Sequence, residues 1–290
     1  MASNIELIKV LRERTGAGMM DCKHALDETG NDVDKATDWL REKGIAKQAK
    51  KADRIAAEGL ALIANCDKCG AACVCEVNCE TDFVAGADPF KELVLSCASK
   101  ALSERPSTLD ELNALVKEDF TDAAVKLGEK LTVRRFDVVT TENGQGLGTY
   151  IHMGGKIAVI VKLEKADASL AKGLAMQIAA NSPKYIAESD IPADVIEAET
   201  KIQTEASKND PKLANKPEAA LANIVKGKVK KVLSESVLSE QDYLLEPGKK
   251  VAQVLEESHN KVVSFIRYQV GEGLEKRKDD FAAEVMAQAK

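Results

Sequence analysis

Aromatic side chains make up only 4% of the 290 residues, histidine occurs three times and tryptophan once. The core must therefore be filled by Ala, Val, Leu and Ile, and the side chain that most often serves as general base or metal ligand is nearly absent. There is no apolar run approaching the roughly 18 residues of a membrane span. The N-terminus, Met1 to Glu6, has no cationic segment followed by an apolar one, so the chain is expected to stay in the cytoplasm. Surplus positive charge is missing too. With 41 Lys and Arg against 47 Asp and Glu, the net charge is −6 and the pI near 5.4, which argues against a general nucleic-acid binder. One basic run, Lys47 to Arg54, has no interleaved aromatics and reads as a solvated linker helix in preference to an RNA-contacting patch.

What is present is globular: 44% hydrophobic and 30% charged residues, in a chain long enough for two or more compact units. Five of the seven cysteines fall between Cys66 and Cys79. Cys66-Asp67-Lys68-Cys69 has the spacing of a zinc knuckle, and Cys73, Cys75 and Cys79 would complete the thiolates. The competing reading puts Cys73, Cys75 and Cys79 on one face of a strand as small buried apolar residues, with Val74, Glu76 and Asn78 on the other. That reading is preferred, and disulfides are not expected in a reducing compartment.

Along the chain, Ser3-Asn4-Ile5-Glu6 is a capping box that starts a helix to about Arg14. Met19, Cys22, Ala25 and Leu26 mark a second helix stopping at Gly30, and Val33, Ala36, Trp39 and Leu40 a third ending at Gly44. Met19 and Met20 read equally as core filler or as an adaptable surface contact. From Glu58 the period becomes two: Leu60–Ala64 and Ala72–Cys75 flank a turn and form a hairpin. A helical face follows from Phe90 to Leu102, then short helices at Thr108–Leu112 and Ala123–Leu127, then a strand from Leu131 to Val139. The order of hairpin, apolar strand and helix is echoed by Gly146-Leu147, Ile157–Val161 and the helix through Leu170, Leu174 and Ile178. Between Asp190 and Glu235, two amphipathic segments suit an antiparallel helical hairpin. A short helix at Val251–Leu255, a strand at Val262–Val270 and a terminal helix around Phe281 complete the chain.

The strand ending at Cys79 runs into Glu80-Thr81-Asp82-Phe83-Val84, and the next apolar periodicity starts at Phe90. Asp82 and Phe83 are thus expected in a loop, a location that suits binding residues. Phe83 either tucks under its loop to close the core or stands out as a contact.

The string Asn78-Cys79-Glu80-Thr81-Asp82-Phe83-Val84, with Arg12-Glu13-Arg14-Thr15-Gly16-Ala17-Gly18-Met19-Met20-Asp21-Cys22-Lys23, resembles the two signature segments of the bacterial elongation factor Ts family. The resemblance implies an α+β fold. Its expected parts are a three-helix ubiquitin-associated-like domain (1–50), a linker (51–57), a core subdomain (58–140), a second similar subdomain (141–189 and 236–276), the antiparallel hairpin (190–235) and a C-terminal helix (277–290). It implies a guanine nucleotide exchange factor that binds the GTPase elongation factor Tu and promotes GDP release by dislodging Mg²⁺ through Thr81, Asp82, Phe83 and Val84. Flanking contacts carry over to Arg12, Met19, Met20, Leu127, Gly128, Tyr150, His152 and Phe281. The cysteine cluster is a departure from the family pattern.

No enzymatic constellation emerges from the residues. His24 and His259 have no motif beside them, and His152, at a strand end, reads as a structural or interface residue before it reads as a base. Gly144, Gly146 and Gly148 sit in a hairpin turn, and Gly154-Gly155-Lys156 lacks the earlier Gly and following Ser or Thr of a P-loop, so neither nucleotide binding nor a cofactor is expected. The alternative reading is a zinc-stabilised nucleic-acid-binding or adaptor module. Glu76, Glu80 and Asp82 make its expected surface acidic, which weighs against it.

Overall fold

The computed structural model describes residues 4–50, 53–210, 213 and 216–275. The capping box at Ser3 and the terminal helix with Phe281 lie outside the described residues. The chain divides into two compact units. The first comprises the described residues of Met1–Thr140, Ile151–Ala158 and Tyr268–Lys290; the second is Thr141–Tyr150 with Val159–Arg267. The class is α+β, with N-terminal helices ahead of two antiparallel three-stranded sheets.

Three helices open the first unit: α1 (Asn4–Thr15), α2 (Met19–Glu28) and α3 (Val33–Lys50). Leu11, Cys22, Ala25, Leu26, Ala36 and Leu40 recur at helical spacing and bury together as a small core. Gly16 and Gly30 take the left-handed backbone that ends each helix sharply. The stop expected at Gly44 is not there, because α3 runs on to Lys50. A Cβ at Gly44 would collide with Val125, so this glycine lets α3 approach a later helix closely.

That later helix, α6 (Leu109–Leu127), is one continuous element where two short ones were expected. Leu112, Val116, Ala123 and Ala124 share its buried face, while the polar residues between them, which read as an interruption, occupy the outer face. Thr108 caps it by accepting the Glu111 N–H at 3.2 Å, and Glu111 reaches back to the Ser107 N–H at 2.7 Å.

The first sheet is β1 (Glu58–Cys66), β2 (Ala71–Cys79) and β3 (Thr132–Thr140), in that order and antiparallel. β2 lies in the middle, and all nine of its residues are buried, so the face carrying Val74, Glu76 and Asn78 is covered as fully as the face carrying the cysteines. Cys73, Cys75, Val77 and Cys79 face the core with Phe90, Leu93, Val94 and Cys97 of α5 (Asp88–Glu104). The opposite face is covered as well. There Glu76, fully buried, meets the guanidinium groups of Arg134 at 3.0 Å and Arg135 at 2.6 Å and accepts the Gly271 N–H at 3.0 Å. Arg135 in turn lies over the Tyr268 ring, whose hydroxyl donates to Asp137 at 2.5 Å. Glu76 therefore anchors the 268–272 segment and contributes nothing to an acidic surface, contrary to the expectation.

The second sheet has the order β4 (Gly146–His152), β5 (Ile157–Leu163) and β6 (Val262–Gln269). In the second unit, α7 (Ala168–Asn181) is capped by Asp167, which accepts the Leu170 N–H at 2.9 Å. Gly146 and Gly148 are strand residues, not turn residues as expected, and side chains there would collide with Ala166 and Ala171. Of Gly144, Gly146 and Gly148, Gly144 alone lies in a turn with positive φ. α8 (Ala193–Lys208) and α9 (Glu218–Ser234) pack along one another, with Val225 and Val229 buried and Ile196, Ile202 and Val232 exposed. The last helix among the described residues, α10 (Val251–Glu257), leads into β6.

Candidate functional site

At the end of β2 the chain does not enter a loop, as expected, but turns at once into a short helix, α4 (Asp82–Gly86). Thr81 is its N-cap, its hydroxyl accepting the Val84 N–H at 3.3 Å. Asp82 lies in the first turn, where a carboxylate favours the helix dipole. The inward side of this turn is Ala85, buried, and Val84, packed on the core. With that side filled, Phe83 is directed outward. It is 87% exposed, more than any other large apolar side chain among the described residues, so it does not close its own core.

The turn is held from three directions. Glu129 accepts the backbone N–H groups of Glu80 at 2.9 Å and Thr81 at 3.1 Å, and the Thr81 hydroxyl at 2.6 Å. Glu80 accepts the Lys130 N–H at 2.7 Å and pairs with Arg54 at 3.1 Å. From beneath, the Cys79 thiol donates to the Thr81 carbonyl at 3.2 Å. Burial, with the nearby Glu129 charge, pushes that thiol up to about 12, so it stays protonated and able to donate.

Glu129 directly follows Leu127 and Gly128. Leu127 packs on the core, and Gly128 takes φ 71° to end α6. The structure thus joins two of the flanking residues to the Thr81–Val84 turn through a carboxylate that the sequence reading missed. The available signal was an acidic residue immediately after a helix-ending glycine, a place where a side chain can reach back across a loop.

The remaining residues expected as flanking contacts are distributed. Arg12 and Met19 line an open groove of about 560 Å³ on the N-terminal helices, together with Ile5 and Ile8. Met19 and Met20 are 59% and 61% exposed, which decides against core filler. Tyr150, half-buried, and His152, exposed, are two residues apart on β4 and so share a face. His152 leads into a tight turn seated on β1, where Gly155 lies against Leu60 and Leu62, and Lys156 pairs with Glu58 at 2.7 Å. Phe281 lies outside the described residues.

The cysteines do not gather around a point. Cys66 and Cys69 are joined as a disulfide, against expectation: the hairpin turn brings their Cα atoms to 5.3 Å, within bridging range. Cys73, Cys75 and Cys79 are free and spread along β2 in the core. No group of three His, Cys, Asp or Glu side chains among the described residues is arranged to hold a metal ion, and Cys66 and Cys69, two of the candidate zinc ligands, are bonded to each other.

Fold and site together define an α+β protein that presents an exposed aromatic on a capped, carboxylate-clamped helical turn. The family model described as elongation factor TS matches residues 80–272, well over half of the chain and inclusive of that turn. The chain belongs to the elongation factor Ts family, whose role in protein biosynthesis is nucleotide exchange on elongation factor Tu.

Proposed function

We propose that this chain binds elongation factor Tu and accelerates release of its GDP, with the Thr81–Val84 turn as the element that acts on the GTPase. The observation that carries this reading is the exposure of Phe83 at 87% on a turn fixed by Glu129. An exposed phenylalanine forgoes about 1.5–3 kcal/mol of burial in the free protein, and that free energy is recovered when a partner covers it. Because the turn is held before binding, little ordering entropy is lost on docking.

In this mechanism Phe83 wedges between side chains of the GTPase while Asp82 disturbs the element supporting the bound Mg²⁺. Without Mg²⁺ the β-phosphate loses its main counter-charge, and GDP leaves faster. The exchange factor must bind the nucleotide-free GTPase more tightly than the GDP form, and by linkage GDP must weaken the complex by the same factor. The methionine-bearing groove on residues 1–50 and the face with Tyr150 and His152 serve as flanking contacts. Among the described residues no helix is long and apolar enough to cross a membrane, which fits action in the cytoplasm beside the translation machinery.

The test loads elongation factor Tu with fluorescent GDP and follows its release, in excess unlabelled nucleotide, with and without this chain. Acceleration that grows with added chain and saturates supports the reading; release at the unassisted rate overturns it.

A further inference from the structure

Cys66 and Cys69 stand apart from the other cysteines in chemistry as well as position. They sit at the tip of the β1–β2 hairpin, with only Asp67 and Lys68 between them and the turn closed by Gly70 at φ 55°. Cys69 is exposed and Cys66 half-exposed. The five remaining cysteines are all buried, and burial pushes the thiols of Cys73 and Cys79 up to about 12, leaving them almost without nucleophilic thiolate at neutral pH. One bridge is thus open to solvent in a chain whose other cysteines are buried.

We propose that Cys66 and Cys69 form a reversible thiol–disulfide exchange site for low-molecular-weight thiols of the glutathione class. The thiolate of one small thiol attacks the exposed Cys69 Sγ, forming a mixed disulfide and breaking the Cys66–Cys69 bond. Cys66 Sγ leaves as a thiolate. The Cys69 N–H, 3.3 Å from that sulfur, donates to it and stabilises the charge as it develops. The thiolate of a second small thiol then attacks the small-molecule sulfur of the mixed disulfide, forming the small disulfide and expelling Cys69 Sγ as a thiolate; both protein thiolates take up the protons that the two small thiols gave to solvent. The balance is two small thiols oxidised to one disulfide, and the protein bridge reduced by two electrons and two protons to a dithiol. In the reverse direction Cys66 resolves a mixed disulfide on Cys69, the division of labour that a two-residue spacing permits.

The site is placed so that exchange need not disturb the fold. The β1–β2 register runs unbroken from Glu58↔Cys79 to Cys66↔Ala71, so backbone pairing holds the hairpin whether or not the bridge is closed. The Phe83 turn follows the opposite end of β2, about 25–30 Å away along the strand. The redox state of the pair is therefore not expected to alter GDP release, and the proposal stands or falls independently of the proposed function.

The experiment equilibrates the native full-length chain in mixtures of reduced and oxidised glutathione from strongly reducing to strongly oxidising. Each mixture is quenched by rapid alkylation of the folded chain with an excess of a maleimide at neutral pH, and the chain is then analysed by intact mass and fragmentation. The expected result is a single transition, from two alkyl groups, both on Cys66 and Cys69, to none. Cys66→Ser and Cys69→Ser are each expected to lose that transition and instead take up one glutathione on the remaining partner in oxidising mixtures. The proposal is overturned if the pair stays unalkylated in the most reducing mixture, if it remains alkylated in the most oxidising one, or if the transition persists in both variants.

Discussion

The Glu129 carboxylate takes the Thr81 hydroxyl at 2.6 Å and the Thr81 N–H at 3.1 Å, tying the end of α6 to the first residue of the turn that exposes Phe83. Through this side chain, a helix terminus 48 residues further along the chain helps to hold an exposed aromatic in position.

Glu129→Ala removes three hydrogen bonds from a part-buried position. A stability loss of about 1–3 kcal/mol is expected from the unpaired donors, read as a lowered denaturant midpoint with an unchanged slope. GDP release should slow even at temperatures where the variant is fully folded, because the turn is no longer held before docking. Glu129→Gln, which keeps an acceptor oxygen, should fall between. A folded Glu129→Ala protein with unchanged exchange would show that the clamp is only structural.

Glu76→Ala leaves two guanidinium groups facing an emptied buried site. Removing one partner of a buried ion pair costs about 3–5 kcal/mol. Thermal unfolding should show a large drop in Tm, with faster proteolysis in the 268–272 segment that Glu76 anchors.

Gly148→Ala places a methyl group against the Ala171 backbone carbonyl, which neither strand nor helix can avoid without moving. A loss of about 1–3 kcal/mol is expected. Gly144→Ala, in open space but at φ 87°, should cost less, on the order of 1 kcal/mol. Parallel denaturant titrations of the two variants separate close approach from backbone conformation.

The contrast between those glycines bears on what was legible in the sequence. Because burial imposes spacing that is visible in one chain, helix and strand periodicities located the strands and most of the helices in order, though α4 read as a loop and α6 as two short helices. Long-range approach is not visible. Gly44 and Gly148 read as punctuation and instead make room for Val125 and Ala171. Glu76 and Glu80 read as surface charge, yet Glu76 is fully buried, because Arg134 and Arg135 arrive from a strand nearly 60 residues away. The Thr81–Val84 segment was readable as a place of interest; that Phe83 points outward depended on Ala85 and Val84 filling the inner side, and the clamp by Glu129 on a contact 48 residues distant.

Alkaline pH provides a further check. Burial holds Cys73 and Cys79 as neutral thiols, pushed up from 9.0 to about 12, so the folded chain binds these protons more tightly than the unfolded one. The sign follows from linkage: their contribution is fully present below pH 9 and is lost as pH rises from about 9 towards 12. Each thiol should remove about 1.4 kcal/mol per pH unit in that window. Chemical unfolding at pH 8 and pH 10.5 measures the loss, and Cys73→Ala should make it shallower.

The central claim, that Phe83 acts on a partner and not on its own core, is tested most directly by Phe83→Ala in two assays on one sample. With the side chain 87% exposed, the stability change should stay within about 0.5 kcal/mol. GDP release from elongation factor Tu should meanwhile lose about 1–3 kcal/mol of driving interaction, roughly a 5- to 150-fold weaker effect at limiting concentration. A variant that unfolds at a markedly lower temperature, while its folded fraction still releases GDP at the unmodified rate, would contradict the account.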